Sequence, residues 1–125
     1  MKTHRRDLGL DRKGNVTGLL ANDRIDKVAR GDVIRWSVTS ACARKVTLSI
    51  GNFARPDRFK NLPKECRDTN PFEGRSRLRA SVKPRSSAAI QGRIRADAHY
   101  PRTYKYDILV NGKVALDPEI EIENP

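Results

Sequence analysis

The chain has 125 residues, of which 37% are hydrophobic and 33% charged, and it carries a net charge of +11. That length suits one domain with one core, and no run approaches the ~20 apolar residues that span a membrane. The strong positive charge points to an anionic partner: nucleic acid, anionic lipid or an acidic protein face.

The charge is unevenly spread. Residues 1–52 hold 11 Lys/Arg against 5 Asp/Glu, residues 53–102 hold 13 against 5, and residues 103–125 hold 2 against 5. A basic body thus ends in an acidic tail. The start MKTHRRDLGL has basic residues but no apolar stretch, so no signal peptide is legible. A native Met1 implies the cytoplasm; a removed leader implies the periplasm or secretion.

The dominant hydrophobic period is two, which is the period of half-buried strands. Asp11 to Asn15 reads as a turn, followed by a short strand over Val16–Leu20. Ile25 to Ala29 is a strand whose alternation breaks, as at a bulge or an edge. Gly31-Asp32 opens the next strand, in which Ile34, Trp36 and Val38 face one side and Arg35 and Ser37 the other. Val46, Leu48 and Ile50 alternate with Thr47 and Ser49. Residues 51–77 hold Pro56, Pro63 and Pro71, show little periodicity and read as one long basic loop, with a single helical turn over Pro63–Arg67.

Beyond that loop, Leu78, Ala80 and Val82 alternate with Arg77, Arg79, Ser81 and Lys83. Ile90 and Ile94 alternate with Gln91, Arg93 and Arg95. Tyr104, Tyr106, Ile108 and Val110 alternate with Lys105 and Asp107 as one strand. Asn111-Gly112 then predicts a type I′ hairpin turn into Lys113–Leu116. Ile120 and Ile122 alternate with Glu119, Glu121 and Glu123, whose carboxylates are expected to blunt a sheet edge. Several such strands with turns between them indicate an all-β sandwich or barrel, in a single domain over residues 1–125.

Cys42 and Cys66 do not match zinc-ligand spacing. Three readings stay open for them: a disulfide, two buried thiols, or unrelated surface thiols. Nucleophilic catalysis needs a Cys–His or Ser–His–Asp set. His99 is the one candidate base, in a turn before Pro101, so no enzyme activity is expected.

Two stretches, GDVIRWSVTSACARKVTLSI (Gly31–Ile50) and TYKYDILVNGKVALDPEIEI (Thr103–Ile122), resemble the framework of the cupredoxins. The resemblance covers about two-thirds of the chain and implies the fold of that family, here an all-β, cupredoxin-like Greek-key β-sandwich of seven to eight strands with one long basic loop. It places the first histidine ligand of such a protein at Arg44 or Lys45, and the Cys–His–Met ligands in the loop after Thr103–Tyr106, where this chain instead runs on through Asp107–Val110 and turns at Asn111-Gly112. Blue copper needs a thiolate and two imidazoles. The expectation is therefore the fold without copper or any other cofactor.

The basic residues carry the functional signal. Arg77, Arg79, Arg93 and Arg95 project from the outward faces of two strands, with Arg55, Arg58 and Lys60 in the long loop that precedes them. If those strands are neighbours they make one guanidinium surface, suited to carboxylate and phosphate. Phe53 and Phe59 in the loop either pin it to the sandwich or stack bases. The expected function is a non-catalytic binding module for an acidic protein surface or other polyanion. The alternative is a nucleic-acid-binding protein using the same surface.

Overall fold

Period-two sequence becomes strand along most of the chain. The computed structural model describes residues 1–53, 70–98 and 102–123, and of Arg102 its backbone alone. Eleven strands lie among the described residues: β1 (Thr3–Leu10), β2 (Val16–Thr17), β3 (Arg24–Val28), β4 (Val33–Ser40), β5 (Val46–Gly51), β6 (Arg79–Val82), β7 (Ser87–Arg93), β8 (Arg102–Lys105), β9 (Asp107–Val110), β10 (Lys113–Leu116) and β11 (Glu119–Ile122). They form three sheets, in the orders β2-β1-β4-β7 (sheet I), β10-β9-β5-β6 (sheet II) and β3-β11-β8 (sheet III). The fold class is all-β, as expected; the strand count exceeds seven to eight because β1 adds to the set and the stretch Thr103–Val110 divides into β8 and β9.

The core lies between the sheets. Ile34, Trp36 and Val38 of β4 point inward and are at most 1% exposed. Trp36 meets Phe72 and Tyr106 edge-on, at ring-centroid distances of 5.8 and 5.6 Å. Its indole N–H donates to the Tyr106 hydroxyl at 3.3 Å, which satisfies both polar tips inside the core. Burial pushes the Tyr106 hydroxyl far above the usual phenol range. Burying each large side chain of this cluster contributes about 1.5–3 kcal/mol.

The turns behave as their chemistry dictates. Asn111 (φ 50°) and Gly112 (φ 82°) close the β9–β10 hairpin in the left-handed region. Asp11 anchors the β1–β2 turn by accepting bonds from Lys13 N and Asn15 N, both at 2.9 Å. The broken alternation in β3 is a bulge: Lys27 has φ 57° and the pairing with β11 slips between Ile120 and Ile122.

The structure departs from the sequence reading, or adds to it, at four points. First, β1 was not anticipated, because charges interrupt its apolar residues. His4, Leu8 and Leu10 nevertheless face inward, and all eight residues of β1 pair in parallel with β4.

Second, the expected strand Thr103–Val110 is two strands. The pairing breaks at Tyr106, so β8 joins sheet III and β9 joins sheet II. Asp107, expected to face water, is fully buried and accepts a 2.8 Å bond from Asn52 Nδ2. Third, the glutamates of β11 do not blunt an edge. β11 is the middle strand of sheet III, with Arg24 bonded to Glu119 and Glu121, and Lys105 Nζ 3.6 Å from Glu119.

Fourth, β6 and β7 do not share a sheet. Residues 70–77 run along the free edge of β7, through bridges Phe72–Ile94 and Arg77–Gln91, before the chain crosses to β5 as β6. The close approach there requires Gly92. A Cβ on Gly92 would stand 2.6 Å from Phe72 Cδ1 and 3.0 Å from Leu78 Cδ2. Phe53 lies on Phe72 with centroids 5.9 Å apart, so it pins this crossing to the core. The stretch Pro63–Arg67 lies outside the described residues.

Candidate anion-binding surfaces

Strand alternation sends Arg5 of β1, Arg35 of β4 and Gln91 of β7 to the outward side of sheet I. The register sets them in one lateral row, Arg5 opposite Arg35, Arg35 opposite Gln91, and Gln91 opposite Arg77 of the crossing segment. Neighbours in such a row are about 4.8 Å apart along the hydrogen-bonding direction. Arg35 Nη1 donates to Gln91 Oε1 at 3.3 Å. In the next row Arg93 faces outward opposite Val33, and its Nη1 donates to Gly31 O at 3.0 Å. Arg75, Arg77 and Arg93 rim a shallow cavity of about 210 Å³ over Val33. Glu73 lies on its rim, and Asp7 projects beside Arg5.

Two arginines directly opposite each other destabilise a sheet. Arg5 and Arg35 are such a pair.

Of the residues singled out from sequence, Arg77 and Arg93 come together here. Arg79 stands two residues past the crossing, on β6 beside Ser49 of sheet II. Arg95 is half-buried and committed: its Nε donates to Asn70 O at 3.0 Å and its Nη1 lies 3.2 Å from Asp97. Arg55, Arg58, Lys60, Cys66 and His99 lie outside the described residues. Arg5 was missed because β1 was missed. The signal for it was present in the alternation of His4, Leu8 and Leu10, one face of a strand with a gap at Arg6.

A second basic concentration forms at one end of the sandwich. The β1–β2 turn, the β4–β5 loop and the β9–β10 turn meet there, around a cavity of about 510 Å³. Thr47 N donates to Asn111 Oδ1 at 2.9 Å and Asn111 N to Thr47 O at 2.8 Å, locking the hairpin turn to β5. Lys13, Arg44, Lys45 and Lys113 surround the opening and Cys42 contributes to the lining. Cys42 is a free thiol, 2% exposed.

The same place tests the copper reading. The position of the first histidine ligand, Arg44/Lys45, and the turn Asn111-Gly112, reached by the stretch that replaces the other ligands' loop, do converge. The donors do not suit the ion. One thiol stands among four cationic side chains, and no imidazole among the described residues is near. His4 is at the far end of β1, roughly 20 Å away at the strand rise. These residues do not fit a blue copper centre.

His4 is occupied elsewhere. Its Nε2 lies 2.9 Å from Asp32 Oδ2, with both side chains buried. Asp32 also accepts Lys2 N at 3.0 Å and Ala29 N at 2.9 Å. Burial alone pushes the Asp32 carboxyl up, but the bonds from His4, Ala29 and Lys2 outweigh it and hold it below the usual carboxylate range. An ionised carboxylate only accepts, so Nε2 carries the proton. The pair fastens the start of β1 to the turn before β4.

No family model and no curated protein matches the chain. Solved structures do match. The blue copper oxidase from Nitrosomonas europaea aligns with a TM-score of 0.51 at 16% identity over 100% of this chain. McoA multicopper oxidase from the hyperthermophile Aquifex aeolicus aligns with 0.55 at 14% over 96%. Auracyanin B aligns with 0.47 at 12% over 98%. The chain spans 40% of the length of the first of these and 29% of the second. At such identities the likeness is one of fold: the protein is a cupredoxin-like β-sandwich, as the framework residues imply.

Proposed function

We propose that the protein is a non-catalytic binding module, and that the outward side of sheet I is where it holds an acidic protein surface. The observation that carries this reading is the row Arg5–Arg35–Gln91–Arg77, with Arg93 beside it. A row of guanidinium groups on a rigid sheet matches carboxylates spaced along an extended or helical acidic segment. Base stacking is the usual companion of phosphate contacts in single-strand binders. The described aromatic rings serve the interior instead: Trp36, Phe72, Tyr104 and Tyr106 are buried, and Phe53 packs on Phe72. That favours a protein over single-stranded nucleic acid.

The absence of enzyme activity belongs to the same proposal. His4 is sealed in its bond with Asp32, and Cys42 is buried without an imidazole beside it among the described residues. The test is a variant with Arg5, Arg35, Arg77 and Arg93 changed to Ser. These side chains point away from the core, so the fold should survive. Binding to an acidic polypeptide such as polyglutamate, measured at fixed ionic strength, should weaken at least about tenfold. Unchanged binding with an intact fold removes this surface from consideration. Tight binding of native protein to single-stranded DNA, with none to polyglutamate, replaces the acidic protein by nucleic acid.

A further inference from the structure

The end cavity gathers cations without the acids that ordinarily answer them. Lys13 comes from the β1–β2 turn, Arg44 and Lys45 from the β4–β5 loop, and Lys113 from the start of β10. All four are exposed, and none has an ion-pair partner among the described residues. Among the described residues no acidic side chain lines the cavity. The nearest acid in sequence, Asp11, is engaged by its own turn: the bond from Asn15 N, with those from Lys13 N and Asn15 Nδ2 and the weaker pull of the Lys13 charge, holds it below the usual carboxylate range. Arg12 and Arg85 line an adjoining cavity at the same end, adding to the positive field.

The walls are fixed. Asn111 is bonded to Thr47 on both its backbone and side chain. Cys42 O accepts Arg85 N at 3.2 Å, and Ala41 N donates to Leu10 O at 2.8 Å, tying the β4–β5 loop to its neighbours. Four like charges held around one rigid opening repel one another, and a dense negative charge placed between them relieves all the pairs at once. The 510 Å³ volume is that of a small-molecule site. Val46 and Val110 give it an apolar side, and no aromatic ring among the described residues walls it for a base to stack on.

From this geometry we infer that the end of the sandwich is a binding site for a small, multiply charged oxyanion of the phosphate class. Arg44 supplies the planar fork; Lys13, Lys45 and Lys113 supply point charges around it. The site is separate from the arginine row of sheet I. It occupies the place where the resemblance would put a metal cation, and it has the opposite charge preference.

The test is titration of the full chain with inorganic pyrophosphate at constant ionic strength, followed by two-dimensional amide NMR. Saturable shifts confined to Gly14, Lys45, Val46, Asn111 and Gly112 are expected, and acetate at matched ionic strength should leave those amides unmoved. Changing Lys45 and Lys113 together to Ser should weaken pyrophosphate binding by about tenfold or more, since each removes a charge-assisted contact. Both positions are exposed, and the dispersion of the same spectrum reports that the variant is folded. The inference is overturned if the shifts do not saturate, if acetate reproduces them, if they map to Arg5, Arg35 and Arg93 instead, or if the folded double variant binds as tightly as the native chain.

Discussion

Asn111 and Thr47 exchange hydrogen bonds across the end of the sandwich: Thr47 N reaches the Asn111 side-chain oxygen at 2.9 Å, and Asn111 N reaches Thr47 O at 2.8 Å. One residue thereby sets the hairpin turn, through its left-handed backbone, and docks that turn on β5. Replacing Asn111 with Ala should destabilise the protein by about 1–3 kcal/mol, from the unanswered Thr47 N–H and the strained φ together. Denaturant unfolding checks this. Asn111→Gly should retain part of the loss, because it keeps the backbone and gives up only the side-chain bond. Equal stability of the Ala variant and the native chain would contradict it.

Gly92 admits no side chain. Its Cβ would enter the ring of Phe72, which rests on Trp36. Gly92→Ala should cost about 1–3 kcal/mol as an overpacking change, and should alter the near-ultraviolet signal of the Trp36 cluster. A thermal melt equal to that of the native chain would show that the crossing segment yields freely.

The Asp32–His4 bond gives a pH dependence with a definite sign. The Asp32 carboxyl titrates lower in the folded chain than in the unfolded one. Its contribution is therefore complete above the ordinary carboxylate pKa of about 3.9, and is lost as the pH falls through the lower folded value. Asp32→Asn should lower stability at neutral pH and flatten the loss of stability below about pH 4. Parallel pH–stability curves for the two proteins would exclude Asp32 as the cause.

Copper should not form a blue centre in this chain. Added Cu(II) is expected to give no intense thiolate-to-copper absorption, because the buried Cys42 thiol faces cationic neighbours at the end where the resemblance sets the ligands. An intense visible band with one ion per chain would restore a metal site.

The fold was legible where one face of each strand is apolar and the turn residues are explicit. Ile34-Arg35-Trp36, Val46–Ile50 and Asn111-Gly112 each carry both signals. β1 was illegible because Arg6 and Asp7 interrupt its pattern. It is held by parallel pairing with a strand some 30 residues away, which leaves no local trace. The break at Tyr106 was hidden for another reason. Period two continues unbroken through it, while the chain changes partners from β11 to β5. The arginine cluster was half legible. Alternation shows which way Arg77, Arg79 and Arg93 point, but not that β6 and β7 lie in different sheets. Nor does it show that Arg5 and Arg35 stand opposite each other, since only the register decides that.

The position of β11 has a consequence for the order in which the molecule is made. β11 lies between β3 and β8, yet it is synthesised after both. Until Glu119–Ile122 leaves the ribosome, β3 and β8 have no strand between them. Two unpaired edges, and the apolar faces of Ile25 and Tyr104, must wait for the last strand of the set. Arg24 and Lys105 stand on those two strands, and only the arrival of β11 brings both of them to one carboxylate, that of Glu119.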